Sequence, residues 1–564
     1  MSGRLANRAR ALSGTKAITL VGSVGLVVMV LRALLTNAFW PLLVNAALPQ
    51  PQDDAARRRA RPLTGVKPVG DEHRPVESDL HAVVDDPDEV ARRAKPPRVL
   101  SPSQKLFAVV TAAGLGFGLT VAPLTTVVIL NGALVVFFCA ANAMKLLLAD
   151  RALKHSCAVV VDPSELEQLS DDELPMYTIL LPVYKEASIL EQLVTGIAAL
   201  DYPQDRLDVK LLLEEDDVET QQAATEMALP SCIEVIVVRD VGPRGKPRAC
   251  NEGLYRATGE LLVIYDAEDR PERDQLRKSV CAFRQADPGV VCLQAKLNYF
   301  NRTHNLLTRW FTSEYSVWFD QLLPGLQSAD VAIPLGGTSN HFLTDRLLEL
   351  GGWDGYNVTE DADLGLRIFV RGWKTAVLDT TTYEEATSRY RNWIRQRSRW
   401  VKGYMQTWLT HMRHPIRLAR CMGPKAFLVF QLFFGACTLC LLLNPIYWVL
   451  TVLWFATKVH WIEQIFPRPI LYAGTVGLFV GNIACVLLTV TGAFGRRNYK
   501  DVKWALLAPI YWVLMSIAAY KALAQLCYKP SYWEKTEHGF CRYDDNRLAS
   551  VRHEPPAAVA MQAE

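Results

Sequence analysis

The sequence predicts an α/β domain, Rossmann-like with a mostly parallel sheet, inserted between groups of transmembrane α-helices. Three observations carry this. Half of the residues are hydrophobic, yet the long apolar runs lie toward the two ends of the 564-residue chain. Between about Tyr177 and Thr380, short β-branched or apolar runs alternate with helical stretches, the pattern of strand–helix units and a parallel sheet. Acidic clusters follow several of these short runs, and in open α/β sheets ligands sit outside the carboxyl ends of the strands.

Residues 1–16 are basic and polar, and an apolar stretch runs from Ala17 to Leu48, broken by Arg32 and by Phe39-Trp40-Pro41. A signal peptide has a similar start, but this stretch is too long for one and no clean cleavage site follows it. Residues 1–50 therefore read as an uncleaved hydrophobic anchor. Residues 51–104 are rich in Pro, Arg and Asp, beginning with Arg57-Arg58-Arg59 and Arg61. Such a segment buries little apolar surface and reads as an extended or disordered linker. Its arginines, next to an apolar stretch, place it in the cytoplasm. They lack interleaved aromatic residues, so no nucleic-acid partner is expected.

Residues 105–149 read as a transmembrane pair. Leu106 to Leu148 is apolar, with Ala122-Pro123 near its middle, and a crossing takes ~20 apolar residues. Two crossings return the chain to the side of the arginine-rich linker, so the domain at 150–385 is expected to be cytoplasmic. Its strand candidates are Tyr177–Val183, Val209–Leu213, Glu234–Val238, Leu261–Tyr265 and Val290–Gln294. Residues 386–424 are basic and amphipathic, as interfacial helices are. In 425–528, four runs qualify as spans: 426–443, 445–461, 469–491 and 505–527. Four crossings return the tail, 529–564, to the cytoplasm. They also leave Arg496-Arg497 in an outside loop, against the positive-inside rule, which suggests that one run is interfacial.

The net charge of +3 points to no polyanionic partner, and the 12 cysteines are scattered without small-domain spacing. Cys437 and Cys440 have CxxC spacing inside an apolar run and read as membrane-packed thiols. Unpaired cysteines fit a domain facing a reducing compartment.

The chemistry-bearing residues cluster at the strand ends. The first candidate strand leads into Tyr184-Lys185-Glu186, the second into Glu214-Glu215-Asp216-Asp217 and the fourth into Asp266-Ala267-Glu268-Asp269. Any one of these is an ordinary solvated turn, but three at one sheet edge converge. Asp266 and Glu268 are spaced so that two carboxylates address one hard cation, Mg²⁺ or Mn²⁺, which commonly bridges carboxylates to substrate phosphates. Asp269 is an equal candidate for the second ligand. Lys246 and Arg248, beside such a site, suit a phosphate. Glu360, Asp361 and Asp363 read either as reactive carboxylates or as an acidic first turn favoured by the helix macrodipole. Gln396, Arg399 and Trp400 share one face if their segment is helical.

In this order the motifs resemble the cellulose synthase-like branch of family 2 glycosyltransferases, which have a GT-A fold. The residues carrying the resemblance are Pro182/Tyr184/Glu186, Glu214-Glu215, Asp266-Ala267-Glu268, Gly337-Thr338, Thr359-Glu360-Asp361 and Gln396/Arg399/Trp400. It covers about 105–540, and Glu214-Glu215 and Glu268 depart from aspartates common in the family. The resemblance implies a multi-pass enzyme of the bacterial inner membrane that joins sugars from a UDP-sugar, UDP-glucose first, into a growing β-linked exopolysaccharide. It implies Asp361, with Glu360, as the catalytic pair, and Tyr184, Glu186, Glu215, Lys246, Arg248, Asp266, Gln396 and Arg399 as contacts to the UDP-sugar. Thr338, Asn340 and Trp400 would bind the acceptor, and Asp266 and Glu268 the metal. Membrane lipid and accessory secretion proteins are further partners to expect. Trp533 to Gly539 reads either as a gate over the site, as in related polymerases, or as an ordinary tail. Three alternatives remain open: single-sugar transfer to a lipid acceptor, polymerisation from a UDP-N-acetylhexosamine, or an inactive scaffold or transporter subunit.

Overall fold

The computed structural model describes residues 99–534 apart from 156, 241, 244 and 531. The anchor read at 1–50, nearly all of the linker, Arg244 and the tail beyond 534 lie outside the described residues.

Several helices among the described residues position the site or flank the domain. They are α1 (Pro102–Val121), α2 (Pro123–Lys154), α3 (Lys246–Tyr255), α4 (Leu306–Val317), α5 (Glu360–Val370), α6 (Tyr390–His411), α7 (Pro415–Thr457), α8 (Arg468–Gly495) and α9 (Ala508–Tyr528). The sheet holds β1 (Tyr177–Val183), β2 (Leu207–Glu214), β3 (Ile233–Val238), β4 (Leu261–Ile264), β5 (Arg270–Pro271), β6 (Val290–Tyr299), β7 (Asn340–Leu343) and β8 (Lys374–Glu384).

The strand order is β3-β2-β1-β4-β7-β6-β8-β5. β1 is parallel to both β2 and β4, β2 to β3, and β6 to β8. β7 runs antiparallel between β4 and β6, and β5 antiparallel to β8. This is the GT-A architecture. Parallel strands are covered on both faces, so they read as unbroken apolar runs; Ile179, Leu180 and Leu181 are each 0% exposed. The five expected strands are present, with β6 extended to Tyr299. The strands not anticipated are β5, β7 and β8. β8 hides its signal in Thr380, Thr381 and Thr382, which are buried and kept there by hydrogen bonds: Ser339 Oγ to Thr382 Oγ1 at 2.7 Å and Gln275 Nε2 to Thr382 Oγ1 at 3.1 Å.

Among the described residues, five helices, α1, α2, α7, α8 and α9, are long and apolar enough to cross a membrane. The turn at Ala122-Pro123 joins α1 to α2 as expected, with Pro123 in the first helical turn, where its missing N–H costs nothing. Two expectations are corrected. The runs 426–443 and 445–461 are not separate spans: α7 continues through Pro445 to Thr457. Proline is tolerated inside membrane helices because neighbouring groups satisfy the freed carbonyl. The break in α7 falls instead at Gly423, at φ 76° and ψ 164°, a conformation that glycine alone adopts without strain.

The second correction concerns Arg496-Arg497. The Leu148 end of α2 packs on the domain, where a Cβ on Gly325 would fall on the Leu148 backbone. Toward the opposite end, Asn131 Nδ2 donates to the Ile465 carbonyl at 2.8 Å and Tyr447 Oη to Asn131 Oδ1 at 3.0 Å. α7 therefore leads away from the domain and α8 returns. Arg496 then meets the domain, with Nε to Asp320 Oδ2 at 2.7 Å, Nη2 to Asp320 Oδ1 at 3.0 Å and Nη1 to Thr381 Oγ1 at 3.1 Å. α9 lies along α6. Near its start Tyr511 Oη donates to Glu314 at 2.6 Å, and just past its end the Pro530 carbonyl accepts from Gln406 Nε2 at 3.0 Å.

Candidate active site

The parallel strands β1, β2 and β4 end at one edge, and the loops there form two neighbouring clusters. In the first, Lys185 takes a left-handed backbone, φ 54°, and its N–H donates to the Asp217 carboxylate. That turn directs Tyr184 toward Asp216, Oη to Oδ2 at 3.3 Å. Glu186 precedes the short 3₁₀ turn Ala187–Ile189. Glu215 accepts the Asp240 N–H at 2.9 Å. Arg248 is paired with Glu214 and, at 3.1 Å, with Asp240. This corrects the grouping of Arg248 with Lys246. The two residues begin one helix, and positions two apart point about 200° away from each other. Arg248 serves the ends of β2 and β3, and Lys246 serves the end of β4.

The second cluster surrounds Lys246. Its Nζ pairs with Asp266 and donates to the Gly337 carbonyl at 2.5 Å. A Cβ on Gly337 would lie 3.5 Å from Asp361 Oδ2 and 4.0 Å from Lys246 Nζ, so this glycine lets the loop come close to both. Asp269 is 2% exposed; its Oδ2 accepts from the Asp266 N–H at 2.7 Å and from Thr338 Oγ1. Asp269 Oδ1 is buried without a hydrogen-bond partner among the described residues.

Thr338 and Asn340 were expected to touch the acceptor, and here the structure differs. They are 2% and 1% exposed. Thr338 Oγ1 also donates to the Ile264 carbonyl at 3.0 Å, and Asn340 Nδ2 to the Gly336 carbonyl at 2.7 Å. Both side chains hold the loop in shape, because a buried loop must satisfy its own polar groups. Gly337 is the residue presented to Asp361.

Gln396, Arg399 and Trp400 lie on α6 as predicted, but they face different surroundings. Gln396 Oε1 accepts from Thr387 Oγ1 at 3.2 Å. Trp400 packs against Phe311 and Tyr315, ring centroids 5.9 and 6.2 Å away, with the Arg397 guanidinium 4.5 Å from its centre. Arg399 turns toward the carboxylates. Burial lowers its pKa, against the opposing pull of Glu360, Asp266, Asp361 and Glu268. Its guanidinium lies 5.2 Å from the Trp533 ring.

The charges explain one another. Burial pushes Asp361 up to about 6, against the Ala362 N–H and the cations Lys246 and Arg399 that pull it down. Burial and the adjacent Asp361 push Glu360 up to about 7. Burial opposes the charge on Lys246, but Asp266 outweighs it and holds the pKa above the ordinary lysine value. Asp269 and Glu384 are raised by burial and by the surrounding carboxylates. The result is a half-buried carboxylate in the range of a general base, close to Gly337 and beside the Lys246–Asp266 pair.

Among the described residues, no group of three His, Cys, Asp or Glu side chains is arranged to hold a metal by itself. Asp266 and Glu268 offer hard oxygen donors, and the surplus of carboxylates around them favours a cation. That donor set fits Mg²⁺ or Mn²⁺ when substrate oxygens complete the shell.

Sequence reasoning missed four contributors. Glu384 follows the threonine run of β8. Gly403 lies beneath Thr359: a Cβ there would be 2.2 Å from Thr359 Oγ1. Lys402 is 0% exposed, and its Nζ donates to the Tyr532 carbonyl. His411 hydrogen-bonds Asp363 at 2.8 Å.

The model of the family described as "Glycosyltransferase like family 2" matches residues 175–403. Among curated relatives, a probable glycosyltransferase YdaM of Bacillus subtilis (strain 168) is 25% identical over 252 residues, 44% of this chain and 60% of that one. A probable glucomannan 4-beta-mannosyltransferase 10 of Arabidopsis thaliana is 28% identical over 280 residues, 47% of this chain and 50% of that one. The chain thus spans 50–60% of the length of these two relatives. Among solved structures, the mannosyltransferase PcManGT from Pyrobaculum calidifontis, in complex with GDP-Man and Mn²⁺, matches 71% of this chain and 99% of its own at 20% identity, with a TM-score of 0.43. The match over the sheet-bearing segment identifies residues 175–403 as a family 2 glycosyltransferase-like domain, and the relatives' names support the resemblance to the cellulose synthase-like branch.

Proposed function

We propose that this protein is an inverting hexosyltransferase that moves a sugar from a nucleotide donor onto a growing β-linked polysaccharide. The observation that carries this is the placement of Asp361. It is a half-buried carboxylate with a raised pKa, close to Gly337, with the Lys246–Asp266 pair beside it at the same loop. Asp361 takes the proton of an acceptor hydroxyl as that oxygen attacks the anomeric carbon. Lys246 and Arg399 bring positive charge to the side where the nucleoside diphosphate departs. A single displacement inverts the anomeric centre. Preorganised charge of this kind acts where charge develops in the transition state.

Asp266 and Glu268 would hold Mg²⁺ or Mn²⁺ together with the donor's diphosphate. A bound ion neutralises charge on that leaving group. Asp269, whose Oδ2 holds the Asp266 N–H and Thr338, keeps Oδ1 without a partner among the described residues and is an alternative second ligand to Glu268. Tyr184, Glu186, Glu215 and the Arg248–Glu214 pair, at the ends of β1 to β3, would receive the nucleoside. UDP-glucose is the first donor to test. GDP-mannose is the second, since several relatives are named mannosyltransferases.

The catalytic domain faces the cytoplasm in this reading, on the side of the arginine-rich linker. α1, α2, α7 and α8 make four crossings, and α9 lies beside α6 at the interface. Arg496-Arg497 then sits on the cytoplasmic side, as the positive-inside rule requires. The elongating chain leaves among these helices as an exopolysaccharide, beginning beside the aromatic floor of Trp400, Phe311 and Tyr315.

The test is purified protein in lipid vesicles, supplied with a panel of UDP- and GDP-hexoses and Mg²⁺ or Mn²⁺. Nucleoside diphosphate release and product length are measured. The expected result is metal-dependent release with one donor and a product of many sugars. No release with any donor would refute the enzyme reading. Release with only a single sugar on lipid would refute polymerisation.

A further inference from the structure

The segment bearing Asp361 rests on one stripe of α6. Gly403, Thr407 and His411 are spaced four apart and so share a helix face. Gly403 lies against Thr359. Thr407 Oγ1 accepts from Asn357 Nδ2 at 2.8 Å. His411 Nε2 donates to Asp363 Oδ1 at 2.8 Å. The contacts at Thr359 and Asp363 bracket Asp361, two residues to either side.

Asp363 makes a second fixed contact. Its Oδ2 accepts from Arg367 Nε at 2.8 Å, and Arg367 Nη2 donates to the Gly352 carbonyl at 2.6 Å. Asp363 is 3% exposed. Burial opposes its charge, but His411 and Arg367 outweigh it and hold its pKa below the ordinary value. The His411 ring also packs edge-on to Phe430 of α7, centroids 6.4 Å apart. His411 therefore joins three elements: the helix of the base, the helix of Arg399 and the first long apolar helix after the domain.

We propose that His411 is a positioning residue for the transfer reaction: through Asp363 it locks the first turn of α5 onto α6 and so fixes the height of Asp361 above the Gly337 loop. This rests on the reading of Asp361 as the base. His411 itself touches no reacting atom. Its effect is geometric, and it ties the alignment of the base to the seating of α6 and α7.

The test uses full-length protein in vesicles and compares His411→Ala with His411→Gln. For His411→Ala, kcat is expected to fall about tenfold, because small displacements of a catalytic group have large effects on rate. The donor KM is expected to stay within about twofold, since the lost interaction acts on the transition state rather than on donor binding. His411→Gln keeps an N–H donor for Asp363 and is expected to recover most of kcat. Wild-type kcat in His411→Ala, or no recovery in His411→Gln, overturns the proposal. If His411→Ala fails to fold, Thr407→Val, which removes the neighbouring bond to Asn357, is expected to show the same split; wild-type kcat there also overturns it. Asp361→Asn run in parallel separates the two readings. An inactive Asp361→Asn beside a fully active His411→Ala sinks only the positioning role, and a fully active Asp361→Asn sinks the base on which it rests.

Discussion

Replacement of Asp361 by asparagine is expected to lower kcat by about 10²–10⁴-fold, the usual contribution of a positioned general base. Asparagine keeps the size of the side chain but cannot take the acceptor's proton. The fold should not suffer. In the folded protein the Asp361 pKa is raised from 3.8 to about 6, so the native state binds this proton more tightly than the unfolded chain does. A raised carboxylate destabilises the folded state as pH rises from 3.8 toward 6, and the full penalty is present above 6. Removing that charge is neutral or mildly stabilising at neutral pH. The measurement is nucleoside diphosphate release alongside a thermal melt: activity lost, midpoint retained. The same property sets the pH profile. The base acts when deprotonated, so kcat/KM is expected to rise with pH through an acid limb near 6, not near the ordinary 3.8. An unchanged rate for Asp361→Asn, or an acid limb near 4, would remove Asp361 from this role.

The second large effect is expected from Gly403→Ala. On an exposed helix face this change stabilises by about 1 kcal/mol. Here the new Cβ would meet Thr359 Oγ1 at 2.2 Å, Cγ2 at 2.4 Å and Cβ at 2.7 Å. Thr359 is 5% exposed and has little room to yield. Either α6 lifts, moving Arg399, or the Thr359 segment shifts, moving Asp361 two residues on. A displacement of about 1 Å at a catalytic group is worth ~10²-fold in rate, so kcat is expected to fall by that order. Thr359→Gly placed in the Gly403→Ala background removes the clash and is expected to restore part of the rate. The measurement is kcat for the single and double variants. A single variant as active as wild type would show that the two helices are not in the contact described.

These two residues mark how far the sequence could be read. Asp361 could be singled out as a candidate because its motif keeps its order among others in the chain. Gly403 was not, because what matters there is a neighbour forty-four residues away in sequence and only one atom deep. The central strands were legible for a physical reason: strands covered on both faces, such as Tyr177–Val183, are near-continuous apolar runs. β8 escaped because buried threonines solve the same problem with hydrogen bonds instead of apolar atoms. Arg248 was grouped with Lys246 by proximity in sequence, and helical rotation separates them. The resemblance assigns Thr338 and Asn340 to the acceptor, and nothing local in the sequence says that their loop is buried. The proline at 445 reads as a break by the rules of soluble helices, and a membrane helix carries it through.

The central claim is a single inverting displacement driven by Asp361. Its most direct test is the anomeric configuration of the product, read by ¹³C NMR of the linkage that wild-type protein in vesicles forms from an α-linked donor labelled at the anomeric carbon. The account predicts new linkages that are β throughout. α linkages would contradict it, because they require retention and hence a second displacement that this site is not proposed to perform.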